Sequence, residues 1–392
     1  MIYLKFARGA ICHRDLLASC DMRVLHTSDW HLGRSFHRES LLAAQGAFVD
    51  HLVETVRAER VDVVVVSGDV YDRALPPVDA VALFDDALRR LAALGAHTVV
   101  ISGNHDSAVR LGFGADLMER VHLRTDPARA WEPVLVGDTA FYGVPYLEPE
   151  LVRGPWELPE RSHGAAIGHA MTAIRGDAAT RGGHSVVLAH AFVTGGEASD
   201  SERDITVGGV AHVPLSAFDG VDYVALGHLH GRQTMTETVR YSGSPLAYSF
   251  SEADHVKGCW LVDLAPGGAR AEFVPAPVPR RLARLRGRID DLLTAERYAD
   301  RVEHWLQITL TDPVRPKEAM ERLRARFPHT LALAFEPDGT AGAAATPRQI
   351  AGRAEIEVAL DFVRDVRGEP ADDEERRLLE RAVEDCRIKE VS

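Results

Sequence analysis

Apolar residues fall into two spacings along this chain. Val61–Ser67 reads VDVVVVS and Thr98–Ser102 reads TVVIS, the near-continuous β-branched runs of strands buried on both faces. Around them the spacing turns helical. Leu41–Arg60 places Phe48, Val49, Leu52, Val53 and Val56 on one face, and Val78–Leu94 is a second helix, stopped by Gly95. With the short apolar run Val24–Thr27 in front, the order is β-α-β-α-β, which predicts a layered α/β fold with right-handed crossovers. After a stretch without a clear period come two more strands, Ser185–Ala189 and Asp222–Leu226. Arg240–Ser242 and Cys259–Leu264 read as antiparallel strands that finish this domain.

The Pro/Ala/Gly-rich piece APGGARAEFVPAPVPR predicts a boundary near residue 275. A smaller β-α-β unit follows, with strand Trp305–Leu310, helix Pro316–Phe327 and strand Thr330–Phe335. GTAGAAATPRQ reads as a flexible linker, and two helical stretches, Ile356–Val366 and Ala371–Ile388, close the chain. Residues before Met22 carry no period and are expected to be a leader outside the fold or an overlong gene call, with Met22 a second natural start. The expected organisation is therefore a leader over 1–21, a main domain over 22–275, a small α+β domain over 276–338, and linker with helices over 339–392.

Composition narrows the class. Hydrophobic residues make up 46% and charged residues 26% of 392, an ordinary globular balance. No stretch of about eighteen apolar residues occurs, so no membrane span is expected. Lys5, Arg8, Arg14 and Asp15 break the first residues too often for a secretory signal. Cys12, Cys20, Cys259 and Cys386 form no CxxC pair, and free thiols in a cytoplasmic protein are the expectation. The net charge of −13 argues against unspecific binding of a polyanion by the whole chain. A bound metal pair makes its own positive field, so nucleic acid stays open as a substrate.

The chemistry lies at the strand ends. The five predicted strands run into Asp29-Trp30-His31, Gly68-Asp69, Gly103-Asn104-His105-Asp106, His190 and Gly227-His228-Leu229-His230. In open α/β sheets the carboxyl ends of strands are where sites assemble. A carboxylate such as Asp69 can bridge two cations, and imidazoles with an amide oxygen add neutral donors; such a mixed N/O set suits manganese, iron or zinc better than calcium. Gly68, Gly103 and Gly227 are expected where the backbone turns sharply beneath the metals.

These motifs, DxH, GDxxD, GNH, a lone His and GHxH in that order, resemble the calcineurin-like metallophosphoesterase superfamily. The finer pattern is similar to its SbcD branch: LHTSDWHLGRSF (25–36), SGDVYDR (67–73), ISGNHDS (101–107), ALGHLH (225–230) and YSGSPLAYSF (241–250). The resemblance runs from Met22 to about residue 280 and is weaker beyond. The front extension and the marked acidity depart from the pattern, and neither touches the site. The resemblance implies a metallophosphoesterase sandwich with a small α+β capping domain and C-terminal helices. It also implies two divalent metal ions, Mn2+ by preference. One would take Asp29, His31 and His230, the other Asn104, His190 and His228, with Asp69 between them. His105 would not bind metal but would face the scissile phosphate and assist the leaving oxygen. Asp72 reads either as a residue orienting His105 or substrate, or as a turn cap. His37 reads either as a substrate contact or as a solvated loop histidine.

The implied activity is hydrolysis of DNA phosphodiesters, as a double-strand 3′-5′ exonuclease and a single-strand or hairpin endonuclease. The implied partners are DNA, an SbcC-like ATPase with a coiled coil, and a second copy of this chain within a heterotetramer. The alternative is another metallophosphoesterase, a nucleotidase or a phosphatase. Protein phosphatases of the superfamily show GDxxDRG and GNHE, whereas Ala74 follows Arg73 here and Asp106 follows His105. A scaffold with a decayed site would lack ligands, and none is missing. The cluster Pro279–Arg288 alternates Arg with apolar residues; it reads as a phosphate track or equally as a solvated strand face.

Overall fold

The computed structural model describes residues 22–202, 212–338 and 355–391. The expected leader and the linker after residue 338 lie outside them, the linker up to residue 354. The chain opens on β1 (Met22–Thr27), the short hairpin β2 (Ser35–Phe36) and β3 (Glu39–Ser40), and α1 (Leu42–Glu59). There follow β4 (Val63–Ser67), α2 (Val78–Ala93), β5 (His97–Ile101), α3 (Ala108–Leu111) and β6 (Val121–Arg124). Then come β7 (Val134–Val136), β8 (Thr139–Val144), α4 (Pro149–Val152), α5 (His163–Ala178), β9 (Ser185–His190) and β10 (Tyr223–Gly227). The short β11 (Gln233–Thr234) and β12 (Val239–Tyr241) precede the long hairpin β13 (Gly258–Ala265) and β14 (Gly268–Pro275).

These strands form two six-stranded sheets, ordered β14-β13-β1-β4-β5-β6 and β11-β12-β10-β9-β8-β7. One face of each sheet meets the other. Val24, Val63, Val65, Val99 and Ile101 pack with Phe141, Val186, Leu188, Tyr223 and Ala225. The outer faces carry helices. Phe48 and Leu52 of α1 and Phe84 and Leu91 of α2 cover Leu25, Val64 and Val66. Ala166, Ile167, Ala170 and Ile174 of α5 cover Tyr142, Val187 and Val224. That layering explains the unbroken valines of β4: alternate side chains leave water on both sides, each contributing roughly 1.5–3 kcal/mol of burial.

Three expectations needed correction. β12 runs parallel to β10 and antiparallel only to β11, because the chain crosses back before entering the sheet. The presumed boundary piece contains β14, which pairs along its length with β13; Gly and Pro mark its ends and did not exclude a strand. The stretch without period contains β6, β8 and α5. β8 reads TAFYGV, and all six residues are buried, so it shows no alternation.

His26 ties the sheets together. It is wholly buried; Nε2 lies 3.1 Å from the Leu226 carbonyl and Nδ1 3.0 Å from the Tyr223 hydroxyl. Burial pushes its pKa down to about 3. The unfolded chain therefore takes up this proton near pH 6.5 and the folded one only near 3. The stability His26 contributes is complete above about pH 6.5 and is lost as pH falls toward 3, by on the order of a few kcal/mol. A His26→Gln variant should lose less of its thermal stability than the parent between pH 6.5 and 4. Equal slopes of melting temperature against pH would refute this role.

Beyond the sandwich, β15 (Leu282–Gly287), α6 (Ile289–Thr294), β16 (Trp305–Leu310), α7 (Ala319–Arg326) and β17 (Thr330–Phe335) build a three-stranded sheet ordered β15-β16-β17. β15 is the Arg-alternating cluster: Leu282, Ala283 and Leu285 are buried while Arg284 and Arg286 are exposed. The chain divides into two compact units. Met1–Leu310 with Pro316–Ala334 makes one, and Thr311–Arg315 with Phe335–Ser392 the other. The second holds α8 (Glu355–Arg367) and α9 (Asp373–Val391). Asp372 caps α9, its Oδ1 accepting from Glu374 and Glu375 N–H at 2.9 Å each. Arg367 pairs with Glu375 across the turn.

Candidate metal centre

Both sheets are largely parallel, so the ends of β1, β4, β5, β9 and β10 emerge at one edge of the sandwich. There the backbone is held in conformations that side chains rarely adopt. Among the described residues nine non-glycine positions have positive φ, and Asp29 (φ 54), His31 (φ 44), Asp69 (φ 50) and His228 (φ 104) are four of them. Each costs on the order of 1–3 kcal/mol, and such strain gathers at functional sites. The glycines serve for two reasons. Gly68 has φ +91 and needs the left-handed region. Gly103 and Gly227 have no positive φ, contrary to the expected sharp turns. They leave room: a Cβ would come 2.1 Å from Asp69 Oδ1 at Gly103 and 1.9 Å from the Ser67 carbonyl at Gly227.

Asp69 sits centrally. Its Oδ1 accepts from the His105 N–H at 2.9 Å. Its Oδ2 lies 3.6 Å from His31 Nε2 and 3.6 Å from His190 Nε2, an imidazole from each sheet. On one side Asp29, His31 and His230 bring ligand atoms within 4.8 Å of one another, and Asp29, Asp69 and His190 do so again. On the other side the Asn104 side-chain oxygen lies 2.9 Å from His190 Nε2 and 3.2 Å from His228 Nδ1. All seven side chains expected at the strand ends thus meet in one place. His105 joins them with its ring 4.7 Å from His31, and its Nδ1 donates to the Asp72 carbonyl at 2.8 Å. The Asp72 carboxylate faces His31 Nδ1 at 3.7 Å and Arg34 at 3.6 Å. His37 does not reach this cluster; it is exposed at the β2–β3 tip, against Phe36 and Phe250.

The donor set fits cations. Burial lowers the pKa of His31, His228 and His190, which keeps their lone pairs free. His190 commits its Nδ1 proton to the Ser67 carbonyl at 2.9 Å. Its Nε2 then meets the Asn104 oxygen acceptor to acceptor, an arrangement a cation satisfies, while burial disfavours the imidazolium that would satisfy it with a proton. Burial and then the neighbouring Asp69 raise the pKa of Asp29, so this carboxylate pair also calls for positive charge.

Several supporting residues escaped the sequence reading. Wholly buried Gln45 on α1 donates to the Trp30 and His31 carbonyls at 3.2 and 2.8 Å and accepts from Gly33 N–H. Asp106 accepts from Val70, Tyr71 and Gly103 N–H at 2.9–3.1 Å, clamping the β4 and β5 loops together; burial first, then Asp69, pushes its pKa up to about 7. Ser201 lies 2.5 Å from His230 Nδ1 and donates in turn to buried Glu252, which pairs with Lys257 at 2.5 Å. The His230 proton is thereby held on Nδ1, leaving Nε2 for the centre. Adjacency to the GNH motif was the one signal for Asp106. Gln45, Ser201 and Glu252 had none.

Residues 22–232 match the model of the calcineurin-like phosphoesterase family. The chain belongs to the calcineurin-like phosphoesterase family. Residues 278–367 of this phosphoesterase match SbcD_C, described as the type 5 capsule protein repressor C-terminal domain. Together the two matches support an SbcD-type metallophosphoesterase nuclease subunit. Among solved structures, the phosphoesterase is similar to the calcineurin-like phosphoesterase YfkN of Bacillus subtilis, at 13% identity and TM-score 0.37, over 65% of this chain and 90% of that one. It is also similar to a dimetal phosphatase of Danio rerio, at 13% identity and TM-score 0.38, over 66% of this chain and all of that one. The fold is that of a phosphoester hydrolase of a family that uses divalent metals. No helix among the described residues is long and apolar enough to cross a membrane.

Proposed function

We propose that this phosphoesterase is a DNA nuclease working with two divalent ions, Mn2+ by preference. Asp29, His31 and His230 would hold one ion and Asn104, His190 and His228 the other, with Asp69 available to both. The observation that carries the reading is Asp69 Oδ2, equidistant from His31 and His190, inside a set of N/O donors. Bound divalent cations supply Lewis acidity and neutralise the charge that builds on the phosphate. The chain's own residues do the rest. Asp106 and Gln45 keep the strand-end loops in register. His105 has its Nδ1 proton committed to the Asp72 carbonyl, so Nε2 is the atom that holds or yields a proton at the departing oxygen. Asp72 positions His105 through that carbonyl.

The match to SbcD_C supports DNA over a nucleotide monoester as substrate, and supports double-strand 3′-5′ exonuclease and single-strand or hairpin endonuclease activity in a cytoplasmic repair complex. The test is hydrolysis of labelled hairpin, double-stranded and single-stranded DNA with Mn2+ and then Mg2+, beside nucleoside monophosphates. Cleavage of the monophosphates alone would return the chain to the nucleotidase reading.

A second copy of this chain and an SbcC-like ATPase complete the proposed complex. Exposed Val109, Phe113 and Leu117, 86–88% accessible and spaced by four residues, support pairing with a second copy. Phe362 and Val366 on α8 and Leu378 on α9 are 67%, 71% and 54% exposed, which supports docking of these helices on a coiled coil. Deleting the residues after Pro347 should leave metal-dependent hydrolysis of simple DNA largely intact and weaken co-purification with the ATPase. Full complex formation by the shortened chain would remove the docking role.

A further inference from the structure

A cleft of 310 Å³ opens beside the centre, between the β2–β3 hairpin and the β15-β16-β17 sheet. Its lining includes Arg34, Phe36, His37, Tyr248, Phe250 and Arg284. Three observations set it apart from an ordinary surface groove.

First, it is built. Phe36, Tyr248 and Phe250 are each 5% exposed or less and share an apolar cluster with Leu282 of β15, Trp305 of β16 and Leu331 of β17. The Phe36 and Trp305 rings lie 5.6 Å apart, so the floor joins sandwich and capping sheet. Above it, His37 (φ 48) and Arg38 (φ 73) form a two-residue hairpin turn with both positions left-handed. Such turns normally take Asn-Gly or Gly-Gly. The strain of a His-Arg tip, on the order of 1–3 kcal/mol per residue, is offset in part by the His37 ring resting 4.8 Å from Phe36 and 5.3 Å from Phe250.

Second, its charge runs against that of the molecule. The chain carries −13 overall with His neutral, yet two guanidiniums line the cleft against one carboxylate, Asp200. Exposed Arg284 has no ion pair among the described residues. Arg34 stands with its guanidinium 4.9 Å over the Tyr248 ring and 3.6 Å from Asp72.

Third, it shares a wall with the centre. The Tyr248 ring is 5.4 Å from His31 and 5.5 Å from His230.

We infer that this cleft is a nucleotide subsite, holding the residue of a polynucleotide strand that flanks the scissile phosphate. The inference rests on the nuclease reading above. Arg284 and Arg34 take the flanking phosphate, since a guanidinium matches phosphate oxygens in geometry and charge. His37 offers an exposed ring to the base or sugar, backed by Phe36 and Phe250. The volume lies at the low end for small-ligand pockets, roughly 300–1,000 Å³, and suits one nucleotide. A polymer engages this subsite, whereas a small diester reaches only the metal centre.

The test compares Arg284→Glu with the parent protein, loaded with Mn2+, on a single-stranded oligonucleotide and on bis(p-nitrophenyl) phosphate. Arg284 lies on an exposed strand face, so the variant should fold, and an unchanged melting temperature checks this. KM for the oligonucleotide should rise about tenfold or more, well beyond any change for the small diester. The salt dependence of oligonucleotide KM should become shallower, by about 0.7 in log–log slope for one lost phosphate contact. A His37→Ala variant should also raise oligonucleotide KM selectively, without that change in slope. Equal effects on both substrates, or an unchanged oligonucleotide KM, would overturn the subsite. Failure of the nuclease reading shows instead in the parent protein, which would hydrolyse the small diester and leave the oligonucleotide intact; the subsite would fall with it.

Discussion

Replacing His105 with Leu is expected to lower phosphodiester hydrolysis by about 10²- to 10⁴-fold while both metal ions stay bound. The size is that of a positioned acid or base removed from a transition state. Retention of metal follows from geometry. The link from residue 105 to Asp69 is the backbone N–H, at 2.9 Å from Oδ1, and any side chain preserves it. The side chain lost donates to the Asp72 carbonyl and stands beside His31. Leu fills similar space with nothing to hold a proton. Metal content by mass spectrometry, with kcat on bis(p-nitrophenyl) phosphate, separates the outcomes. A kcat near that of the parent at unchanged metal content would remove His105 from the reaction. Loss of metal would make it a ligand.

Asp69→Ala should have the other large effect: loss of both ions together, and of activity with them. Asp69 places one carboxylate oxygen 3.6 Å from an imidazole of each sheet and anchors the other on the β5 loop. Its removal takes away the negative charge shared by both ion positions and leaves Asp29 as the one carboxylate among neutral donors, so the two cations repel one another with less to offset it. Asp69→Asn keeps a side-chain oxygen but no charge, and should hold metal more weakly than the parent. Circular dichroism guards against unfolding, since Ala at φ 50 is no more at ease than Asp. One ion lost with the other at full occupancy would contradict the bridge.

The elements best read from sequence were those with a single periodic cause. β4 and β5 are buried on both faces, so a run of valines sufficed. α1 and α2 each pack one face on one sheet, so helical spacing sufficed. β8 failed for want of alternation, and β14 because its flanking Gly and Pro masked a half-exposed strand. At the site, the residues at strand ends were visible because each interrupts an apolar run with a metal-capable group. Gln45, Ser201, Glu252 and Lys257 were invisible. Gln45, Ser201 and Glu252 lie well along the chain from what they hold, and a buried polar residue, Lys257 included, looks like a surface one until its partner is placed.

Sequence alone determined which atoms are available: seven N/O donors and a spare imidazole, each at the end of an apolar run that must be buried. Only the tertiary structure decided that they meet. β1, β4 and β5 belong to one sheet and β9 and β10 to the other. The ends of two separate sheets come together because apolar faces on both, mostly valine on one and Phe141, Leu188 and Tyr223 with Val186 on the other, demand burial against each other. The cleft beside the centre is likewise a product of packing. It exists because Phe36, Phe250 and Trp305, distant in sequence, leave water on the same surface, and apolar burial takes no account of sequence separation.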